Sequence, residues 1–371
     1  MPIQTVSQAF TNEGVGGFNF RNRIINGDMR IAQRTAGAST SLGSTRPGGY
    51  ALDRWTAWLA NWTSGTATQQ QSTDVPSGQG FVNSLLITVT ASSSSPDPTS
   101  GRFLIHQIIE GFNVADLRWG TASAKSVTIS FWVKSSVTGN YGFTLTNNAS
   151  NRGYVVSYAI NSANTWEQKT ITIPGDTSGT WTTDNTDGIT LNFDLGVNGP
   201  TTDTVNTWLT GDYRGLTSGV DLIRTNGATF YLTGVQFEVG SVATEFERRP
   251  YGTELALCQR YYYRLKQPAA SNSGVAAGVA YTTTAVYGQV NFPVEMRTNP
   301  TALEQNGTAA DYDTLTNGNL NICTSVPAFE NATVTTSLLI WRYSSSTVTV
   351  GSGAICRMRN PTSYLAWSAE L

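Results

Sequence analysis

The chain has 371 residues, 39% of them hydrophobic and only 13% charged, with a formal net charge of −2. That length favours two or three domains, and the apolar content supports a sizeable core rather than disorder. The charged fraction is about half the roughly 25% of an ordinary soluble domain, so Ser, Thr, Asn, Gln and 36 Gly must supply the polar surface. Such a balance fits a β-rich extracellular or particle-surface protein better than a cytosolic metabolic enzyme.

No run of Lys and Arg offers the basic stripe that nucleic acid requires, so no nucleic-acid partner is expected. The opening MPIQTVSQAFTNEG has no apolar stretch of signal-peptide length, and no later segment approaches a membrane span. Neither a standard export signal nor membrane insertion is therefore expected. Cys258, Cys323 and Cys356 are too few and too scattered for a disulfide framework or a zinc site, and read as small buried hydrophobes.

Strand signals dominate the chain. Leu85, Ile87 and Val89 share one parity, as do Leu104, His106 and Ile108. In Lys125–Lys134, the residues Val127, Ile129, Phe131 and Val133 alternate with polar neighbours and with Trp132, a period of two that buries one sheet face. The pattern recurs in Tyr154, Val156, Tyr158 and Ile160, and again in Ile189, Leu191, Phe193 and Leu195. Turn-rich segments such as SSSSPDPTSG, PGDTSG and NGPTTDT separate these runs. The Thr229–Val239 run changes phase, with Phe230 and Leu232 on one parity and Val235, Phe237 and Val239 on the other. Gly234 stands at the switch, where a β-bulge is predicted.

Pro250 is suited to open a helix, after which Leu255, Cys258 and Tyr262 fall at i, i+3 and i+7, one helical stripe. A helix of about three turns is marginal alone in water, so this stripe must pack on its own domain or on copies of itself. From Gly274 onward the chain is again β, ending on an apolar strand with Leu365, Trp367, Ala369 and Leu371 on one parity, a terminus expected to be docked. No repeat of 20–50 residues is present, which disfavours a solenoid, propeller or parallel β-helix. The predicted class is all-β: an antiparallel jelly-roll β-sandwich, a short helical neck and a C-terminal β-sandwich tip. The predicted boundaries are 1–20 for an N-terminal attachment arm, 21–249 for the jelly roll, 250–263 for the neck and 264–371 for the tip.

Three passages carry a resemblance. They are NRIINGDMRIAQR (Asn22–Arg34) followed by YALDRW (Tyr50–Trp55), LRWGTASAKSVTISFWVKSS (Leu117–Ser136), and GATFYLTGVQFEVGSVATEFERRPYGTELALCQRYY (Gly227–Tyr262). Together with the closing SYLAWSAEL they resemble bacteriophage tail-fibre and receptor-binding proteins. The resemblance implies a virion adhesin, usually a homotrimer, made in the host cytoplasm. Its N-terminal arm would join other tail or baseplate proteins, and its tip would meet a host surface glycan or protein. A capsid-attached head fibre or decoration protein and a polysaccharide depolymerase are the alternatives. The central region also resembles jelly-roll carbohydrate-binding modules, with Asn26, Gly27 and Asp28 at the opening motif. Met29 and Arg30 depart from that pattern, and Thr233 and Gly234 replace the closing acidic pair that commonly holds a structural calcium in those modules. No cofactor or metal is therefore expected.

Within this reading, Trp132 points away from the core parity and is a candidate glycan platform, since an indole face suits sugar stacking. The tip aromatics Tyr281, Tyr287, Trp341, Tyr343, Tyr364 and Trp367 are candidate receptor contacts, although core packing is the stronger reading for Trp341 and Trp367 individually. The loop residues Asn306, Asp311, Tyr312 and Asn317 are further candidates, because binding residues concentrate on loops. Leu255, Cys258 and Tyr262 are the candidate oligomer neck, where a three-fold bundle would bury them. Glu245, Glu247, Arg248 and Arg249 form a charged knot expected to bridge chains or cap a subunit junction. No catalytic residue is assigned. His106, the sole histidine, reads as packed, and nothing in the sequence pairs Asp53, Glu110, Asp194 or Glu238 for glycoside cleavage.

Overall fold

Residues 20–44, 49–94, 100–199, 201–266, 273–344 and 348–371 are described by the computed structural model. The predicted attachment arm, apart from Phe20, lies outside them. The alternating runs assemble into two antiparallel sheets. One has six strands in the order Thr40–Ser41, Thr66–Ser72, Ser84–Ala91, Thr229–Val239, Val127–Ser135 and Glu167–Ile173. The other has seven, in the order Trp208–Thr210, Arg152–Ile160, Gly139–Asn147, Asp187–Asn198, Gly101–Glu110, Trp55–Ala60 and Gly49–Leu52. The chain passes repeatedly from one sheet to the other, giving a jelly-roll sandwich.

The predicted parities decide what faces inward. Leu85, Ile87, Val89, Val127, Ile129, Phe131 and Val133 line the six-stranded sheet, opposite Phe143, Tyr158, Leu191 and Phe193 on the seven-stranded one. Phe131 meets Phe193 and Tyr158 edge to face, at 5.0 and 5.2 Å between centroids, a favoured aromatic geometry. The Thr229–Val239 strand does shift register between Thr233 and Gln236. Gly234 takes φ +62 there, and a Cβ on it would come within 2.6 Å of the Phe81 ring. Conformation and close approach both require glycine, and the bulge returns Val235 and Phe237 to the core.

Pro250 caps a helix that runs only from Tyr251 to Gln259. Tyr262 lies beyond it and opens the Tyr262–Lys266 strand, so the predicted boundary at 263/264 falls inside a strand. That strand pairs with Tyr364–Ser368, which in turn pairs with Glu304–Gln305. Packed with this small sheet is a seven-stranded one, in the order Asn319–Ile322, Tyr312–Thr316, Gly353–Met358, Ser273–Thr282, Ala285–Asn291, Thr336–Arg342 and Ala328–Ala332. Val286, Leu339, Trp341, Cys356, Met358 and Trp367 are buried together in the core of this C-terminal unit. All three cysteines are unpaired and buried.

The helical stripe finds its burial within the chain, a correction to the expected oligomer neck. Cys258 clusters with Ile25, Ile31 and Tyr261, with Leu255 packed against the group. Tyr262 is covered by the Arg34 guanidinium, 3.5 Å from the ring centroid, and its hydroxyl donates to Glu304 at 3.1 Å. A stripe states that a surface must be covered, and here the Asn22–Arg34 segment covers it. The charged knot is likewise intrachain. Arg249 donates to the carbonyls of Ile24 and Asn22 and pairs with Glu254 and Glu247, while Arg248 donates to the carbonyls of Gln79 and Gly80.

Buried charges join the two β units. Arg54, held at φ +70, pairs with Glu370, donates to the Ile108 carbonyl and lies 3.6 Å over the Tyr261 ring. Burial disfavours its charge, but the Glu370 carboxylate together with the Tyr261 and Tyr50 hydroxyls outweighs this and leaves the arginine pKa above its ordinary value. Glu110 receives Arg260 through two bonds of 2.6 and 3.0 Å and the Tyr261 hydroxyl at 2.6 Å. Arg297 donates to the carbonyls of Ala369, Glu370 and Asn185 at 2.7–2.9 Å. Substituting Glu370→Ala strands Arg54 in the interior and is expected to destabilise the chain by about 3–5 kcal/mol. Urea unfolding checks this, and a loss under roughly 1 kcal/mol, the range of exposed pairs, would show that the junction does not depend on the pair.

Candidate binding surface

The tip strands sort the candidate aromatics by parity. Trp341, Trp367 and Tyr312 are fully buried, and Tyr343 nearly so. These four belong to the core, correcting their assignment as receptor contacts. Trp341 shares the inward parity of Leu339, and Trp367 stacks on Tyr263 with centroids 5.9 Å apart. The Tyr312 hydroxyl donates to the Asn306 carbonyl at 2.6 Å. Asp311 accepts from the Thr308 backbone at 2.7 Å and from Asn360 at 3.0 Å, closing a capping box. The Thr308 N–H and then Asn360 hold its carboxyl below the ordinary range, so this side chain fastens its own loop. Tyr364 is half-buried beneath the Arg264 guanidinium, 3.5 Å from the ring centroid. Asn306 bonds the Thr362–Tyr364 segment and Asn317 the Ser352 hydroxyl.

Tyr281 and Tyr287 are placed differently. Tyr281 is 65% exposed, Tyr287 is half-buried, and their rings meet edge to face at 4.8 Å. Directly opposed residues of antiparallel strands share a face, and the register builds that face outward from the pair. Tyr287 lies opposite Val279, and Val279 opposite Gly353. One row along, Leu320, Leu315, Ile355 and Ala277 follow one another across four strands. Val279, Leu320, Ile322 and Ile355 are exposed like Tyr281. An apolar and aromatic sheet face thus lies open on the described residues, ended by Asp313, which Arg357 and Arg359 clamp. The aliphatic members were not recognised from sequence, although Ile355 stands on the parity opposite buried Cys356 and could have signalled the second apolar face.

Trp132 is half-buried on the outer face of the six-stranded sheet, opposed to Gln168 and Thr233. Beside it Lys134 pairs with Asp74 and sits over the Tyr231 and Trp166 rings at 4.2 and 5.4 Å. His106 is buried, with its Nε2 3.1 Å from the Thr56 hydroxyl. The four isolated carboxylates serve the fold. Glu238 accepts from Thr244 and Gln236, and Glu110 holds the junction. Asp53 accepts from Gln33, and burial raises its pKa to about 6. Asp194 accepts the N–H groups of Gly196 and Leu216 at 2.8 and 2.9 Å. A Cβ on Gly142 or Gly215 would come within 2.8 or 2.4 Å of its carboxylate, so two bare backbones make room for it. Burial raises the Asp194 pKa to about 7.

At the opening motif, the Asn26 side chain is used on Ile31 and Asp53 backbone groups, and Asp28 pairs with Arg30. Among the described residues no three His, Cys, Asp or Glu side chains are grouped to hold a metal ion. No described helix is long and apolar enough to cross a membrane.

No protein-family model matches the chain, and no curated protein matches it. Its structural neighbours include a phage tailspike domain and carbohydrate-binding modules. The enzymatically active domain of tailspike protein 4 of bacteriophage CBA120 aligns at 13% identity and a TM-score of 0.32, over 60% of this chain and 22% of that one. A CBM4 module aligns at 14% identity and 0.29, covering 58% and 98%. The family 11 carbohydrate-binding module of a Clostridium thermocellum cellulosomal cellulase aligns at 14% and 0.28, covering 57% and 99%.

Two outcomes are expected. Trp341→Ala should destabilise the chain by about 3–5 kcal/mol, whereas Tyr281→Ala should change stability by no more than about 0.5 kcal/mol, as denaturant unfolding will show. The raised pKa of Asp194 means that the native chain holds a proton which the unfolded chain, with the ordinary value of 3.8, releases. Its contribution to stability therefore falls as pH rises from about 4 through about 7. Melting temperatures across that window should fall less steeply for Asp194→Asn than for the wild-type chain.

Proposed function

We propose that this chain is a non-enzymatic bacteriophage adhesin, mounted on the virion tail through residues 1–20 and gripping a host surface glycan or protein with its C-terminal unit. The open face around Tyr281 and Tyr287 is the observation that carries the reading. Exposed aliphatic and aromatic side chains at this density mark contact surfaces on soluble proteins, and Tyr is enriched where binding energy concentrates. The motif resemblance supports the phage setting.

The structural use of Asp53, Glu110, Asp194 and Glu238 supports gripping over cleavage, because a glycosidase needs two carboxyl groups flanking one bond. A homotrimer is part of the proposal and would multiply weak contacts through effective concentration. Its interface cannot use the Leu255/Cys258/Tyr262 stripe as such, since Cys258 and Tyr262 are already covered.

Purified protein is expected to compete with the phage for adsorption to its host. Tyr281→Ala combined with Tyr287→Ala should weaken that competition about tenfold, the effect of losing one interfacial hot spot. Unimpaired competition by this variant, or steady release of oligosaccharide from host polysaccharide, would overturn the reading.

A further inference from the structure

One end of the sandwich carries three tryptophans packed edge to face. Trp119 lies 4.7 Å from Trp181 and 5.2 Å from Trp208, and Trp181 lies 5.5 Å from Trp208. Each indole N–H is already bonded inside the protein. Trp119 donates to the Lys125 carbonyl at 2.8 Å, Trp181 to Asp176 at 3.1 Å and Trp208 to the Pro174 carbonyl at 2.9 Å. With each N–H already engaged, the remaining ring surface is apolar.

A shallow recess opens against Trp119 and Trp181. Its floor is aliphatic, made by the buried side chains of Val114, Leu117 and Ile189. Exposed Arg118 and Thr183 stand at its mouth, and neither side chain is hydrogen-bonded to another described residue. The walls are fixed in place. Gly111, Phe112 and Gly120 donate their N–H groups to the carbonyls of Thr186, Asp184 and Asp176 at 2.7–2.9 Å, tying together the segments that carry the lining residues. Arg118 is held at φ +56, with its carbonyl accepting from the Thr121 hydroxyl at 2.7 Å. A site assembled before binding avoids the cost of ordering its loops.

Apolar floor, aromatic wall and unengaged donors at the rim together select a ligand. A sugar presenting only hydroxyls would turn some of them onto Val114, Leu117 and Ile189, where no partner exists, and would lose those hydrogen bonds. A ligand with a small apolar group beside a polar acceptor has no such conflict. We propose that this recess binds an N-acetylated hexosamine, with the acetamido methyl on the aliphatic floor, the pyranose ring against the exposed indole surface, and the amide carbonyl or ring hydroxyls meeting Arg118 and Thr183. Arg118 only donates, while Thr183 both donates and accepts. The site is separate from the Tyr281 face and stands or falls without it.

Saturation-transfer NMR on the full chain tests this with N-acetylglucosamine and glucose as probes. The acetyl methyl protons are expected to receive the strongest saturation, and glucose should bind about tenfold more weakly or worse, as loss of a methyl contact in an apolar pocket predicts. Arg118→Ala combined with Thr183→Val, both at exposed positions, should weaken N-acetylglucosamine about tenfold without moving the unfolding midpoint. Tyr281→Ala should leave this binding unchanged. Absent saturation of the acetyl methyl at millimolar sugar, equal binding of glucose, an unaffected double variant, or loss of the signal in Tyr281→Ala would each overturn the proposal.

Discussion

Arg54 and Glu370 meet in the interior between two β units, and much of the arrangement depends on that meeting. A buried charge is tolerated only when paired and hydrogen-bonded, which obliges the segment carrying Glu370 to return to the sandwich. Arg54 enters through a left-handed backbone turn, donates to the Ile108 carbonyl, and lies over Tyr261. Glu110 makes the complementary anchorage, drawing Arg260 and Tyr261 toward the Gly101–Glu110 strand. Between these two anchors the Tyr251–Gln259 helix has no freedom to act as a projecting neck. Its Glu254 accepts the Asn26 N–H, so the segment before the sandwich is bound into the same assembly.

The same logic of polar groups satisfied inside the protein governs the seven-stranded sheet. Asp194 sits at a register irregularity and takes up two backbone N–H groups, one from its own bulge and one from Leu216. Gly142 and Gly215 keep the space around its carboxylate clear. The Asp194 side chain thereby fastens its strand to the Leu216 segment packed on it. The buried charges described above, Arg54, Glu110, Asp194, Arg249 and Glu370, are held by partners inside the protein.

The two proposed recognition surfaces differ in how they are made. The tip face follows from cross-strand register, which aligns Leu320, Leu315, Ile355 and Ala277 and sets Val279 beside Tyr287. It spans several neighbouring strands, which suits an extended partner. The tryptophan recess is made by loops tied together through backbone hydrogen bonds, and its size suits one small chemical group. An adhesin with both would combine a wide contact with a local chemical test, each supplying part of the specificity.

Alternation alone determined which side faces inward wherever apolar and polar residues take turns, whereas the Gly101–Glu110 strand is apolar on both parities and sends Phe103, Ile105 and Ile109 rather than Leu104 and Ile108 into the core. Leu85, Ile87 and Val89, the Val127–Val133 set and the Ile189–Leu195 set all lie in the core that their period of two implies, because side chains on a pleated strand have only two directions available. The phase change at Gly234 was legible for the same reason. Residue type did not separate Tyr281 from Trp341, since an aromatic ring suits a core and a contact surface equally, and only the packed sheets decide which side is covered. Nor did the Leu255–Tyr262 stripe name its partner, because a need for burial carries no information about what supplies it. Trp119, Trp181 and Trp208 stand far apart in the chain and carry no local pattern. The recess against Trp119 and Trp181 exists because the segments that follow the Gly101–Glu110 and Glu167–Ile173 strands end beside Ile189 of the Asp187–Asn198 strand, a convergence that tertiary packing alone creates.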